Sequence, residues 1–544
     1  MAKSIKLDRN NLNNCFELAI NNMIKHGDTD IFPFPFETRM FSDIKKELIE
    51  SLTGTYTDFN NQIVASPPVC INSFSTVGYT GYRWSTQIDP YWNVLFLGLV
   101  ISLSKDIEKL RLDKKHIYSY RFSPDFENGD LFDKGTTWRK YQEDSLHECD
   151  DDKINYILTC DIADFYPRIY HHRLENLLDR LDPNKAISSK IKKMLQIFSE
   201  TKSYGVPVGC PASRILAELT LDSVDQLLSM NGINFKRYVD DFIIFCDSKE
   251  DAHSKLTFIS KKLMENEGLT LQKHKTNIMS KEEFQTLTKA KLYGVTEDDD
   301  SPMKARFLSL PIRFDPYSAN AIDEYEEIKE SLKEFDLLEM LNSELQKSKI
   351  NQVFSKHLIR AFSTLDVKKL SNAYKLIFSN INELYPIFTT IIQGANLNWG
   401  RIDPNAKSFI IEKINELIKT DSFILKTELN LAYISRLLSK ENNEKAKTIL
   451  TEIYRKNRDS VLITNIVTQA MAKCTVRPWL SDILKSFSTM NTLQRRTVII
   501  SSYLLGDEGD HWRNHNKKGF TFIEKLYTNW GAERCKSRNI EDAL

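Results

Sequence analysis

The sequence predicts an α+β first half followed by an all-α second half, and three observations predict it. An apolar run of strand length, Ile154–Cys160, and a strand, turn, strand pattern interrupted by two aspartates, Ile233–Cys246, lie among helical patterns between residues 150 and 295. From about residue 320 to the end, helical patterns follow one another with only short polar breaks. The chain is also long, 544 residues, which exceeds what one compact core accommodates and predicts several domains.

Composition narrows the class. Hydrophobic residues make up 41% and charged residues 27%, as in ordinary globular proteins and unlike disordered or fibrous ones. Lys+Arg and Asp+Glu are both 74, which excludes a wholly basic nucleic-acid coat but leaves room for a local basic channel. No apolar run approaches the roughly 20 residues that span a bilayer. The polar residues after Met1 do not form a signal-peptide core, so a cytoplasmic protein with no membrane partner is expected. The 8 cysteines are scattered without a Cys-x-x-Cys pair and read as reduced thiols, not as a zinc site.

Each element has a local reason. Ile31-Phe32-Pro33-Phe34-Pro35-Phe36 holds two prolines and cannot be helical. Residues 1–150 otherwise read as aromatic-rich and irregular with short helical stretches, and residues 90–112 as a helix. Ile154–Cys160 suits a strand buried on both faces. Gly205-Val206-Pro207-Val208-Gly209-Cys210-Pro211-Ala212-Ser213 is a loop fixed by glycines and prolines, with helical periodicity from Arg214 to Leu228. Further on, Asp403 suits an N-cap and Pro404 the first helical position, with Ile410, Ile411, Ile414, Leu417 and Ile418 on one face. Similar faces recur at Val353–Phe362, Tyr374–Leu384 and Ile449–Val461. Their pattern fits a helical solenoid and a plain bundle equally.

The chemistry lies in the acidic residues. Arg237-Tyr238-Val239-Asp240-Asp241-Phe242-Ile243-Ile244-Phe245 sets two adjacent carboxylates between apolar strand-like runs. Burying them unpaired would cost several kcal/mol each, so a hairpin tip facing a cation is the favourable arrangement. Alone, Asp-Asp reads equally as a simple turn. Asp161 shifts that balance: it ends the preceding buried strand, where a carboxylate can reach a neighbouring hairpin. Carboxylates brought together on two strands would bind Mg²⁺ through hard oxygens. A pair of ions roughly 3.5–4 Å apart could activate a hydroxyl and stabilise a leaving pyrophosphate. Arg83 in Gly81-Tyr82-Arg83-Trp84 and Arg121 in Tyr118-Ser119-Tyr120-Arg121-Phe122 stand among aromatics, where guanidinium can meet phosphate and rings can meet bases.

In order, Asp161-Ile162-Ala163-Asp164-Phe165-Tyr166, Gly205-x-Pro207-x-Gly209-x-x-x-Ser213, Tyr238-Val239-Asp240-Asp241 and Leu269-Thr270-Leu271-Gln272-Lys273-His274-Lys275-Thr276 resemble the palm motifs of reverse transcriptases. Outside the palm, Gly27–Pro33, Thr86-Gln87-Ile88-Asp89-Pro90, Asp315-Pro316-Tyr317-Ser318, Glu344–Ile350 and Leu505-Gly506-Asp507-Glu508-Gly509 resemble the bacterial abortive-infection and defence-associated (unknown-group, AbiK-like) reverse transcriptases. In that group helical repeats replace the thumb. The resemblance implies right-hand polymerase fingers and palm followed by an all-α helical-repeat domain. Its expected divisions are an N-terminal extension and fingers over 1–150, the palm with part of the fingers over 151–300, a linker over 301–320 and helical repeats over 321–544.

The resemblance also implies roles. Asp161 and Asp240 would hold two Mg²⁺ ions, with Mn²⁺ able to substitute, Asp241 beside them and Ile162 offering its backbone carbonyl. Lys275 would protonate pyrophosphate. Tyr166 falls at the steric gate that rejects a 2′-hydroxyl, and the implied nucleotide site adds Phe165, Gly209 and Ser213 to Arg83 and Arg121. Asp164 reads as a cap or as a residue supporting the metal ligands from behind. The expected activity is addition of dNTPs to a growing DNA strand in antiphage defence, protein-primed, untemplated or guided by a noncoding RNA, in a homo-oligomer. The alternatives are a retron or group II intron-type enzyme copying a dedicated RNA, and a catalytically idle RNA-binding scaffold. One departure matters: Val208 stands where templated enzymes often carry glutamine, which removes a polar contact near the template–nucleotide pair.

Overall fold

The computed structural model of the chain describes residues 6–29, 31–293, 302–310, 331–537, 540 and 543–544. The expected break at Asp315–Ser318 and most of the expected linker lie outside the described residues. The chain forms two compact units. The first comprises the residues up to Asn72 together with Ser85–Leu292. The second comprises Ser73–Trp84 and the residues from Tyr293 onward.

The strands run in chain order β1 (Cys70–Val77), β2 (Gly81–Ile88), β3 (Phe122–Asp125), β4 (Asp130–Phe132), β5 (Tyr156–Asp161), β6 (Phe235–Tyr238), β7 (Asp241–Cys246) and β8 (Asn277–Ser280). β1 and β2 pair as a ribbon, as do β3 and β4. The base of the first ribbon belongs to the first unit and its outer part to the second.

The first unit is built on a four-stranded sheet ordered β6-β7-β5-β8, antiparallel throughout. Strand β5 is central and mostly buried, as its apolar run requires. Helix Pro90–Leu110 is buried along almost its whole length. Asp89 caps it by accepting the Tyr91 N–H at 3.1 Å, and Pro90 occupies its first turn. Helices Leu12–His26 and Pro211–Met230 pack against it. Gly98 permits the close approach of the first: a β-carbon there would stand 2.3 Å from the Phe16 ring. Residues 1–150 are thus more regular than their sequence suggests, because helices such as Lys45–Thr57 draw their stability from packing and not from strong periodicity.

Apart from the outer part of the ribbon, the regular elements among the described residues of the second unit are helical. Helices Phe388–Asn398, Glu428–Leu438, Val461–Lys473, Thr492–Ser501 and Phe522–Lys536 stack in succession, and Val367–Ser379, Pro404–Lys419 and Glu444–Lys456 form a parallel row. This alternation is a solenoid of helix pairs, which resolves the choice the pattern left open. Asp403 caps its helix by accepting the Ala406 N–H at 2.9 Å, with Pro404 at the first position. Two periodic stretches are displaced from their helices. The helix near Tyr374 starts at its cap Asp366 and ends at Ser379, and the helix near Ile449 starts at its cap Asn443 and ends at Lys456. In both cases the caps, not the apolar stripe, set the ends.

Candidate active site

The site forms where three backbone elements meet. β5 and β7 pair so that Asp161 lies opposite Asp241, and the β6–β7 turn places Asp240 beside them. The Ile162 N–H donates to the Asp240 carbonyl at 3.1 Å, joining the end of β5 to the turn. On the other side, the Gln272 N–H donates to the Asp161 carbonyl at 2.7 Å, and the Ala163 N–H to that of Thr270 at 2.9 Å. Asp161, Asp240 and Asp241 each bring a carboxylate oxygen within 4.8 Å of the other two. Lys275, on a 3₁₀ turn Lys273–Lys275, donates from Nζ to Asp161 Oδ2 at 2.7 Å.

The electrostatics follow from this crowding. Burial, then the charge of Asp161, pushes the Asp240 carboxyl up to about 6. Burial, then Asp240 and Asp161, pushes Asp241 up to about 7. Burial works against the Lys275 ammonium, but its hydrogen bond to Asp161 and the three acidic charges outweigh this and raise its pKa. One ammonium facing three carboxylates leaves the cluster short of positive charge. Hard oxygen donors in that state fit a divalent cation such as Mg²⁺.

A buried clamp beneath the turn was not foreseen. Val239 adopts φ 58°, a left-handed conformation that is costly for a β-branched residue. Its N–H donates to Ser119 Oγ at 2.9 Å, and its carbonyl accepts from Arg237 Nη1 at 2.7 Å. Arg237 is fully buried and pairs with Asp225 at 2.5 Å and Glu218 at 3.0 Å. Glu218 also accepts from Ser119 Oγ at 2.5 Å and from Arg111 Nη2 at 2.6 Å. Despite burial, the two guanidiniums hold Glu218 below its ordinary value, while burial pushes Asp225 up to about 6. Tyr141 supports the turn from the sheet side, its hydroxyl donating to the Asp241 carbonyl at 3.2 Å. The sequence holds one cue to the clamp, an arginine directly before Tyr238. Its partners lie on the helix Pro211–Met230 and at residues 111–119, which no local pattern connects to it.

The remaining candidates fall in different places. Phe165 is buried with its ring centroid 5.5 Å from that of Tyr166. Tyr166 is half-buried. Burial first, and then the neighbouring Tyr120, raises its phenol pKa, with Glu218 and Asp240 adding to the effect. The loop 205–213 is pinned by the Val206 N–H to the Tyr166 carbonyl at 3.0 Å and the Thr86 N–H to the Val208 carbonyl at 3.0 Å. Gly205 and Gly209 take φ 94° and 113°, which only glycine adopts easily. Gly209 stays half-buried, whereas Ser213 is fully buried and bonded to Cys210 Sγ at 3.1 Å. Arg121 is also turned inward: it pairs with Glu108 at 2.7 Å and donates to the Leu112 carbonyl at 2.7 Å. Both therefore spend their polar groups within the core. Arg83 belongs to the second unit and donates to Ser75 Oγ at 3.4 Å. Asp164 is exposed at φ 49°, on the N-terminal side of a short helical turn. All eight cysteines are free thiols, and among the described residues no helix is long and apolar enough to cross a membrane.

Comparison with known proteins places this geometry. One curated relative, the retron Ec86 reverse transcriptase of Escherichia coli, is 27% identical over 128 residues, or 23% of this chain and 38% of the relative. The chain is also similar to solved telomerase structures. That of Candida tropicalis in complex with a fragment of telomeric RNA gives 13% identity and a TM-score of 0.30, covering 67% of this chain and 68% of that one. That of Candida albicans gives 12% and 0.29, covering 84% and 71%. Residues 82–310 match the family described as reverse transcriptase (RNA-dependent DNA polymerase). The chain therefore carries a reverse transcriptase domain, and the acidic trio lies inside it.

Proposed function

We propose that this protein is an RNA-directed DNA polymerase that adds dNTPs to a growing DNA strand in bacterial antiphage defence. The observation that carries the catalytic reading is the convergence of Asp161, Asp240 and Asp241 to within 4.8 Å inside a reverse transcriptase domain. Asp161 and Asp240 would hold Mg²⁺, with Asp241 beside them and the Ile162 carbonyl as a further ligand. What Mg²⁺ supplies when bound there is charge stabilisation of the attacking hydroxyl and of the leaving pyrophosphate.

The protein's own groups do the rest. The Lys275 ammonium is held at the site by Asp161 and is positioned to give a proton to pyrophosphate. Tyr166, with Phe165 behind it, bounds the sugar pocket and excludes a 2′-hydroxyl. The loop around Gly209 brings backbone close to the incoming nucleotide. Val208 supports synthesis with weakened template dependence, since its side chain offers no hydrogen bond. The defence-associated, AbiK-like assignment rests on the flanking motifs and the helical half that follows the domain.

Purified protein given Mg²⁺ and labelled dNTPs, with and without its co-purified nucleic acid, is expected to incorporate label. Asp240→Ala with Asp241→Ala is expected to abolish this while leaving the circular dichroism spectrum unchanged. Absence of incorporation by folded protein under every condition contradicts the proposal. The similarity to a retron enzyme favours a second reading, copying of a dedicated RNA. A branched RNA–DNA product extracted with the protein supports that reading, whereas protein-linked or homopolymeric DNA supports the first.

A further inference from the structure

The chain from Ser203 to Val206 is fastened along the segment that follows Tyr166, and one side chain takes part in the fastening. Tyr170 and Tyr204 face each other in an antiparallel bridge. Around that bridge the Val206 N–H donates to the Tyr166 carbonyl at 3.0 Å, the Gly205 N–H to the Ile169 carbonyl at 2.8 Å, and the His171 N–H to the Ser203 carbonyl at 2.9 Å. The Gly205 carbonyl is met by the imidazole of His171, whose Nε2 lies 2.6 Å from it.

The surroundings of His171 fix its protonation. The residue is buried at the first position of helix His171–Leu181. A carbonyl oxygen only accepts, so Nε2 carries the hydrogen, and Nδ1 of the neutral ring keeps a lone pair. Nδ1 is buried and meets no polar partner among the described residues. An imidazolium would need an acceptor at both nitrogens. Burial accordingly pulls the pKa of His171 down, against the opposing pull of the Gly205 carbonyl.

Gly205 is the pivot of the loop. It takes φ 94°, and a β-carbon there would stand 3.2 Å from the Pro167 carbonyl oxygen. Glycine can leave that conformation for many others, so the course of the chain onward to Gly209 depends on what holds its two backbone groups. Ile169 holds the N–H and His171 the carbonyl. We infer that His171 is a positioning residue for nucleotide addition: its neutral imidazole donates from Nε2 to the Gly205 carbonyl and so sets the loop that receives the incoming dNTP. The inference rests on the polymerase reading and adds to it a residue that acts through Gly205. Without the bond, the loop occupies its binding-competent course for a smaller fraction of the time, and apparent affinity falls by that fraction.

Steady-state incorporation of labelled dNTP by the full chain with Mg²⁺ separates this role from simple filling of space at the helix start. His171→Leu keeps most of the bulk and removes the donor. It is expected to raise KM for dNTP about tenfold, with kcat changed less than about twofold. His171→Gln keeps an N–H at the reach of Nε2 and is expected to return KM to within about twofold of the parent. Nuclear magnetic resonance of protein labelled with ¹⁵N-histidine tests the bond whether or not His171→Leu folds. At neutral pH one neutral imidazole with its hydrogen on Nε2 is expected, and its signals are expected to vanish in His171→Gln. Equal KM values for the leucine and glutamine variants of an active enzyme overturn the inference and leave the polymerase reading standing. So does a His171 ring that is protonated or carries its hydrogen on Nδ1. A folded parent that incorporates no label overturns the polymerase reading, and this inference with it.

Discussion

At the scale of single residues, the site is held under electrostatic tension that a cation would relieve. Burial and the neighbouring carboxylates push Asp240 up to about 6 and Asp241 up to about 7, against about 3.9 for a free aspartate. A carboxyl whose pKa is raised by folding favours the folded state below the unfolded value and loses that contribution as pH rises through the folded value. In EDTA, this pair is therefore expected to withdraw stability between about pH 4 and pH 7. The Tm difference between Asp241→Asn and the parent, measured across that range, reports it: the variant gains on the parent as pH rises. Mg²⁺ is expected to raise the parent Tm more at pH 8 than at pH 5. Tyr166 gives a second residue-scale prediction: Tyr166→Ala is expected to raise ribonucleotide use relative to deoxyribonucleotide use by about tenfold, read from kcat/KM ratios. Asp240 and Asp241 were legible in the sequence because strand-like runs flank them on both sides, and Asp161 because it ends one. The inward turns of Arg121 and Ser213 were not, because Glu108 and the Cys210 thiol bind them through contacts that no spacing announces.

At the scale of elements, the β6–β7 turn carries the mechanism's geometry, and its conformation is imposed from below. A valine at φ 58° persists only where the surroundings over-determine it. Ser119 and Arg237 do so by binding both backbone groups of Val239. Arg237→Met would leave Glu218 and Asp225 buried with Arg111 alone, at a cost of about 3–5 kcal/mol in chemical denaturation. Ser119→Ala removes the smaller half of the clamp. It is expected to cost about 1–3 kcal/mol of stability and to lower kcat for nucleotide addition with little change in KM, since the turn that sets Asp240 loosens. The hairpin itself was readable as strand, turn, strand. The clamp was not, because its members lie more than a hundred residues apart in sequence, from Arg111 to Arg237.

For the whole molecule, the chain divides between a unit built on a sheet and a unit of stacked helices. The helical half was legible through its caps, such as Asp403 and Pro404, while apolar stripes alone misplaced the helices near Tyr374 and Ile449. Assignment of the ribbon's outer part to the helical unit had no sequence signal, since it depends on contacts such as Tyr79 with Ile350. Packing between the stacked elements is close in places. A β-carbon at Gly509 would lie 1.8 Å from the Ser502 carbonyl oxygen, a backbone atom that cannot turn aside. Gly509→Ala is therefore expected to destabilise the helical unit by about 1–3 kcal/mol. Calorimetry would show this as a lowered transition for that unit, with metal binding at the acidic trio retained.

The central claim is that Asp161 and the adjacent pair Asp240 and Asp241, about eighty residues further along the chain, share divalent cations, and Mn²⁺ binding followed by water-proton relaxation tests it most directly. The parent protein is expected to bind Mn²⁺ in competition with Mg²⁺, and Asp161→Asn with Asp240→Asn to lose that binding while retaining its fold. Undiminished Mn²⁺ binding by the folded double variant would contradict it.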